Sequence, residues 1–155
     1  MQHCTAPSPA PRHAERLAQM AHLADCGARG FRGNVALSSM VRLPRQQRVQ
    51  AALEVVRKSV SYRGEATEVL TPAAVTLERG YGDCTDMAIL LGALLRAVSV
   101  PVRLRLLRKP NEAKATHVAA EALSELGAWQ LLDPTPQPAW RWVPVTQPPP
   151  AAVGA

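Results

Sequence analysis

Arg79–Arg96, RGYGDCTDMAILLGALLR, sets a single thiol, Cys84, between Asp83 and Thr85 at the head of an aliphatic run. From Met87 to Val98 the residues leave almost no polar face, and a helix that is apolar all round is a buried one. Asp83 is a good cap for its start, and Pro101, shortly after Ser99, marks its end because proline cannot donate a helical hydrogen bond. A thiol at the mouth of a buried helix admits four chemistries: a small apolar residue, half of a disulfide, a metal ligand or a nucleophile. Each requires different partners elsewhere in the chain.

Working outward, Ala14–Cys26 carries Leu17, Met20, Ala21 and Leu23 or Ala24 at helical spacing, with Gly27 as a stop. Residues 31–43 read as loop or short strand. Arg45–Val60 is a second helix, with Val49, Ala52, Leu53, Val56 and Val60 forming one apolar stripe. Thr71-Pro72 opens a short third helix, Thr71 as N-cap and Pro72 at the first position, and Gly80 closes it. Beyond Pro101 the period changes. Val102, Leu104 and Leu106 alternate with Arg103, Arg105 and Leu107, as in a half-buried strand. Two further strands are expected at Thr116–Leu123 and Ala128–Asp133, separated by the turn-like SELG. Helices followed by an antiparallel meander indicate an α+β fold.

The 155 residues suit one domain. Ten of the 14 prolines lie at the ends, which predicts a mobile Pro-rich tail over 1–13, a single domain over 14–145 and a Pro/Ala-rich tail over 146–155. The cysteines, Cys4, Cys26 and Cys84, are odd in number, and MQHCTAPSPAPRH has no apolar signal core. A soluble protein in a reducing compartment is the simplest reading, without disulfides or a membrane span. His22 and Cys26, four apart, lack the second pair that a metal site needs, so no metal and no cofactor is expected. The net charge of +6 is scattered, with no zinc-finger, zipper or aromatic-bearing RNA-binding pattern. It reads as a solvated basic surface, and nucleic-acid binding is not expected.

The second strand and its turn supply partners for the thiol. A hairpin turning at Glu125 places His117 eight residues before the turn and Asp133 eight after it, directly opposed on one face. Opposed Cβ atoms lie roughly 4.5–5.5 Å apart, within reach of a carboxylate–imidazole hydrogen bond. A slip of one residue would break the pair. A helix N-terminus and a neighbouring imidazolium both favour thiolate, and a carboxylate orients the imidazole. Cys84, His117 and Asp133 therefore fit nucleophile, base and orienter. Each residue also has an ordinary reading: a small buried cysteine, a polar strand histidine and an Asp-Pro turn opener.

The joint pattern GDCTDMAILLGALLRAVSVPVRL, THVAAEA and AWQLLDPT resembles the transglutaminase-like superfamily of cysteine-nucleophile proteins. Gly-Asp-Cys-x-Asp, His-x-x-x-Glu and Trp-x-x-x-Asp-Pro-Thr stand in order over about residues 45–136, led in by Tyr62, Thr71-Pro72 and Leu77. A weaker extension, WRWVP at Trp140–Pro144, is similar to that of compact bacterial and phage-encoded members. The resemblance implies a papain-like arrangement, the buried helix packed on a small antiparallel sheet. It makes Cys84 the nucleophile, His117 the general base and acid and Asp133 the orienting carboxylate. Asp83, Asp86, Glu121 and Trp129 then support the site by capping or packing. The implied chemistry is acyl transfer through a thioester on a protein or peptide, as a protease or amidase rather than a cross-linking enzyme. The implied setting is cytoplasmic, bacterial or phage-encoded, including association with a virion. Val118, Ala119 and Ala120 stand where members carry an aromatic, and no side-chain oxyanion donor is identified. Those two departures are what an inactive binding or assembly module of the same fold would show.

Overall fold

The computed structural model describes residues 12–64, 69–136 and 142–154. Its centre is α5 (Cys84–Ala97), with every residue except Cys84 and Arg96 buried. Ile89, Leu90, Leu91 and Leu95 are wholly enclosed, each contributing roughly 2 kcal/mol of apolar burial. Around it lie α1 (Arg12–Phe31), α3 (Arg45–Ser59) and α4 (Ala73–Arg79), and on its other side the strands β3 (Val102–Arg108) and β4 (Ala115–Leu123). A short α2 (Val35–Met40) bridges α1 and α3. A two-residue parallel pair, β1 (Ser61–Tyr62) with β2 (Tyr81–Gly82), leads into α5.

The main sheet is antiparallel, ordered β5–β4–β3–β6, with β5 at Trp129–Leu132, β6 at Val143–Pro144, and β7 (Ala151–Ala152) also on β3. The α+β fold, helices first and a small antiparallel sheet after, is as the sequence reads.

Several local expectations need correction. Gly27 does not stop α1, which runs on to Phe31. A Cβ there would sit 2.7 Å from the Ala73 Cβ and 3.0 Å from the Ala93 Cβ, so this glycine lets α1 approach α4 and α5. Within 31–43, expected as loop or strand, Val35–Met40 is helical because the Asn34 side chain accepts from the N–H groups of Ala36 and Leu37. Thr71 does not cap α4. Pro72 holds that position in extended backbone without a side-chain cap, and Thr71 is buried beside Asp86, whose carboxyl it helps to lower. In β3, Leu107 is fully buried rather than facing outward with the arginines. There the register with β4 shifts, and β6 covers the strand through Leu107–Pro144 pairing.

The β4–β5 hairpin turns at Leu126, not Glu125: Leu123 pairs with Trp129 and Ala120 with Leu132. Ser124 and Ala128 close the turn, with Gly127 at φ 84. Continued past Leu132, this register sets Asp133 opposite Ala119, two residues along from His117. An even shift keeps the face, so the expected pair survives an incorrect turn.

The C-terminal boundary at 145 also moves. β7 bonds to β3, and Val153, 2% exposed, belongs to the core. At the other end, residues 1–11 of the expected tail lie outside the described residues, while Arg12 and His13 are helical.

Candidate functional site

The site begins with how α5 starts. Asp83 Oδ1 accepts from the Asp86 N–H at 2.9 Å, and Asp86 Oδ2 accepts from the Asp83 N–H at 3.2 Å, a reciprocal capping box. Asp86 is fully buried and takes a second donor, Arg79 Nη2, at 2.8 Å. Burial and the charge of Asp83 push its carboxyl above the ordinary range, against the pull of the Asp83 N–H, Thr71 and Arg79. Gly82 makes room for this return: a Cβ there would meet the Asp86 Cβ at 2.7 Å. Gly82, Asp83 and Asp86 thus hold Cys84, half-buried, in the first turn of the helix.

His117 lies near the start of β4 and is 5% exposed. Its Nε2 meets Asp133 Oδ2 at 2.8 Å, and it lines one cleft with the Cys84 side chain. With Nε2 turned to the carboxylate, Nδ1 is the ring atom left for sulfur. Burial disfavours the charged ring, but the hydrogen bonds and charges of Asp133 and Cys84 outweigh it and raise the pKa to about 9. Burial likewise opposes charge on Asp133, and there the His117 bond and Thr135 prevail, so that carboxyl is lowered. Its Oδ1 accepts from both the N–H (3.0 Å) and the hydroxyl (2.8 Å) of Thr135. Arg57 Nη2 donates to the Asp133 carbonyl at 2.9 Å.

Cys84, His117 and Asp133 therefore gather at one place, the imidazole hydrogen-bonded to the carboxylate and lining one cleft with the sulfur. Asp83 and Asp86 brace the sulfur's end of it. Glu121 and Trp129 belong elsewhere. Glu121 Oε1 takes Arg103 Nε at 2.8 Å and Arg105 Nε at 3.2 Å, and Arg103 lies 4.1 Å over the Trp129 ring. Four positions along the strand from His117, roughly 13 Å, Glu121 ties the sheet together rather than touching these three.

Three contributors escaped the sequence reading. Trp142 stacks on the His117 ring at 4.2 Å with an interplanar angle of 13°. WRWVP flagged that segment without assigning a contact, and its Trp140 and Arg141 lie outside the described residues. Thr135 was visible within Asp-Pro-Thr as a residue able to satisfy the carboxylate. Arg57 had no signal, being one of many scattered arginines.

Beside the sulfur is a cleft of about 100 Å³ between α1 and the sheet, floored by Leu17, Met20, Leu106 and Val118. Among the described residues, no three His, Cys, Asp or Glu side chains gather as a metal site, and no helix is long and apolar enough to cross a membrane.

The chain matches the family model described as the transglutaminase-like superfamily over residues 36–134. No curated protein matches it. Among solved structures it is similar to a candidate cysteine protease from Cytophaga hutchinsonii, at 25% identity and a TM-score of 0.50, covering 89% of this chain and 43% of that one. It is also similar to a candidate protease from Parabacteroides distasonis, at 16% identity and 0.58, covering 79% and 26%. Legionella pneumophila LapG aligns at 18% identity and 0.56, covering 96% and 84%. The chain thus spans less than half the length of the first two. The second and third likenesses are of fold alone.

Proposed function

The chain belongs to the transglutaminase-like superfamily, and on that premise we propose that it is a cysteine hydrolase, a protease or amidase working through a thioester. The observation that carries this reading is the buried His117 held between Asp133 and Cys84. The name of the Cytophaga protein, a candidate cysteine protease, agrees with it.

In the proposed cycle the His117 imidazolium faces the Cys84 thiolate. Sulfur attacks the substrate carbonyl carbon, forming an S–C bond while the carbonyl π pair moves to oxygen. The N–H groups at the start of α5, that of Cys84 first, stabilise this oxyanion with the helix dipole. Collapse breaks the C–N bond, and His117 passes its proton to the departing amine. Neutral His117 then takes a proton from water as its oxygen attacks the thioester. The C–S bond breaks, the acid leaves, and thiolate and imidazolium are restored. Asp133, fixed by Thr135, keeps Nε2 oriented throughout.

Alkylation tests the nucleophile directly. Cys26 is exposed and has its own histidine, His22, at 3.6 Å, whereas Cys84 is half-buried. Accessibility alone makes Cys26 the faster thiol. Under the proposal, iodoacetamide at about pH 6 modifies Cys84 at least roughly tenfold faster, read by peptide mass spectrometry. A Cys84 rate at or below that of Cys26 sinks the assignment. Cys84→Ala is expected to abolish peptide turnover and keep the fold.

A further inference from the structure

The cleft beside Cys84 continues past His13 and Ala115. Both residues also line a second depression of about 400 Å³, walled by Arg108, Lys114 and the Pro144–Pro148 segment. The two form one trough leading away from the sulfur. Among the described residues that line it, the permanently charged side chains are Arg16, Arg108 and Lys114. No Asp or Glu is among the described residues that line it. Arg108 Nη1 donates to the carbonyls of Lys109, Pro110 and Glu112, so the loop before β4 is fastened without neutralising the guanidinium. Lys114 is exposed at the head of that strand. A cleft lined by one sign of charge concentrates the opposite sign within it. Among the described residues that line it, His13 and His117 are the aromatic rings on which nucleobases could stack.

We propose that this trough receives an extended acidic peptide, with Asp or Glu side chains beside Arg108 and Lys114. This names the substrate class and rests on the reading of Cys84 as nucleophile. The ligand is a peptide carrying carboxylates on one side of the reacting carbonyl.

Two measurements separate the two readings. Wild-type protein is incubated with a degenerate peptide library blocked at both ends, and cleavage sites are read by mass spectrometry. The Cys84→Ala protein is titrated with a fluorescein-labelled octapeptide of alternating Glu and Ala, and with its Gln counterpart. The trough predicts enrichment of Asp and Glu over Asn and Gln on one side of the cleaved bonds. It also predicts at least about fivefold tighter binding of the Glu peptide, the scale of an exposed ion pair, fading as salt is raised. Lys114→Glu should abolish that preference. Lys58→Glu, outside the trough and with the same change in net charge, should not. Tight, Lys114-dependent binding without any cleavage upholds the trough and overturns the hydrolase. Cleavage or binding indifferent to acidic residues overturns the trough and leaves the hydrolase standing. Equal losses in Lys58→Glu and Lys114→Glu, or displacement of the Glu peptide by an RNA homopolymer at equal charge, also overturn it.

Discussion

Replacing Asp133 with asparagine keeps the side chain's shape and removes the charge that His117 faces at 2.8 Å. A rise of the His117 pKa from 6.5 to about 9 corresponds to about 3 kcal/mol favouring the protonated ring. Burial, the largest influence, acts against that charge; Asp133 and Cys84 together overcome it. In Asp133→Asn only Cys84 remains, so the midpoint should fall by at least about one pH unit, or roughly 1.4 kcal/mol. The assay is an NMR titration of ¹³C-labelled histidine, with His117 identified among the four histidines by the signal lost in His117→Gln. Stability follows with a definite sign. A folded pKa above the unfolded one stabilises fully below about pH 6.5, and that stabilisation is lost as pH rises through about 9. Seen from Asp133, whose pKa is lowered, the same pairing is present above about pH 3.8 and lost as pH falls through the folded value. Urea unfolding of the wild type should therefore weaken between about pH 6 and pH 10, and that of Asp133→Asn much less. A His117 midpoint that stays near 9 in the variant refutes the reasoning.

Three further outcomes are expected. Gly27→Ala, which in an ordinary helix adds stability, should here cost about 1–3 kcal/mol because its Cβ would stand 2.7 Å from that of Ala73. Ala73→Gly should restore it in denaturant melts, and a stabilised single variant contradicts the packing. Asp86→Ala removes the half of the capping box that its carboxylate supplies, the bond from the Asp83 N–H, and takes the buried carboxylate away from Arg79, for a loss of about 3 kcal/mol or more. Thermal unfolding should show this together with slower alkylation of Cys84. Trp142→Ala strips the ring from the imidazolium face, a contact worth about 0.5–2 kcal/mol. The His117 midpoint should drop by roughly 0.5–1.5 units while Trp142→Phe retains most of it; unchanged titration in both removes Trp142 from the site.

The parts read correctly in advance are those set by short-range chemistry. Asp83 and Asp86 lie three residues apart, so a reciprocal cap needs only local geometry, and the apolar run after Cys84 has no stable home but the core. His117 and Asp133 were paired through a turn set one residue too early, yet period-two alternation tolerates an even error. The misreadings arise where a distant neighbour decides. Gly27 ends helices in general, but here Ala73 and Ala93 claim the space of its missing side chain. Thr71 is a good cap by residue type, yet Pro72 takes the capping position and Thr71 is buried. Trp142 and Val153 sit in proline-dense sequence with no periodicity, and their places on His117 and in the core come from strand pairing with β3.

That pairing has a bearing on recognition. Many proteins seize an extended chain by letting it add to an open sheet margin, reading main-chain groups with little regard for side chains. Here β3's outer margin is already occupied by β6 and β7, while β5 flanks β4 only over Ala120–Leu123. Among the described residues, the stretch of β4 that carries His117 therefore has a strand on one side alone, β3. The open margin of the sheet lies where the imidazole is. An extended chain that reaches the sulfur can run beside it, held first by its backbone and sorted afterwards by its side chains.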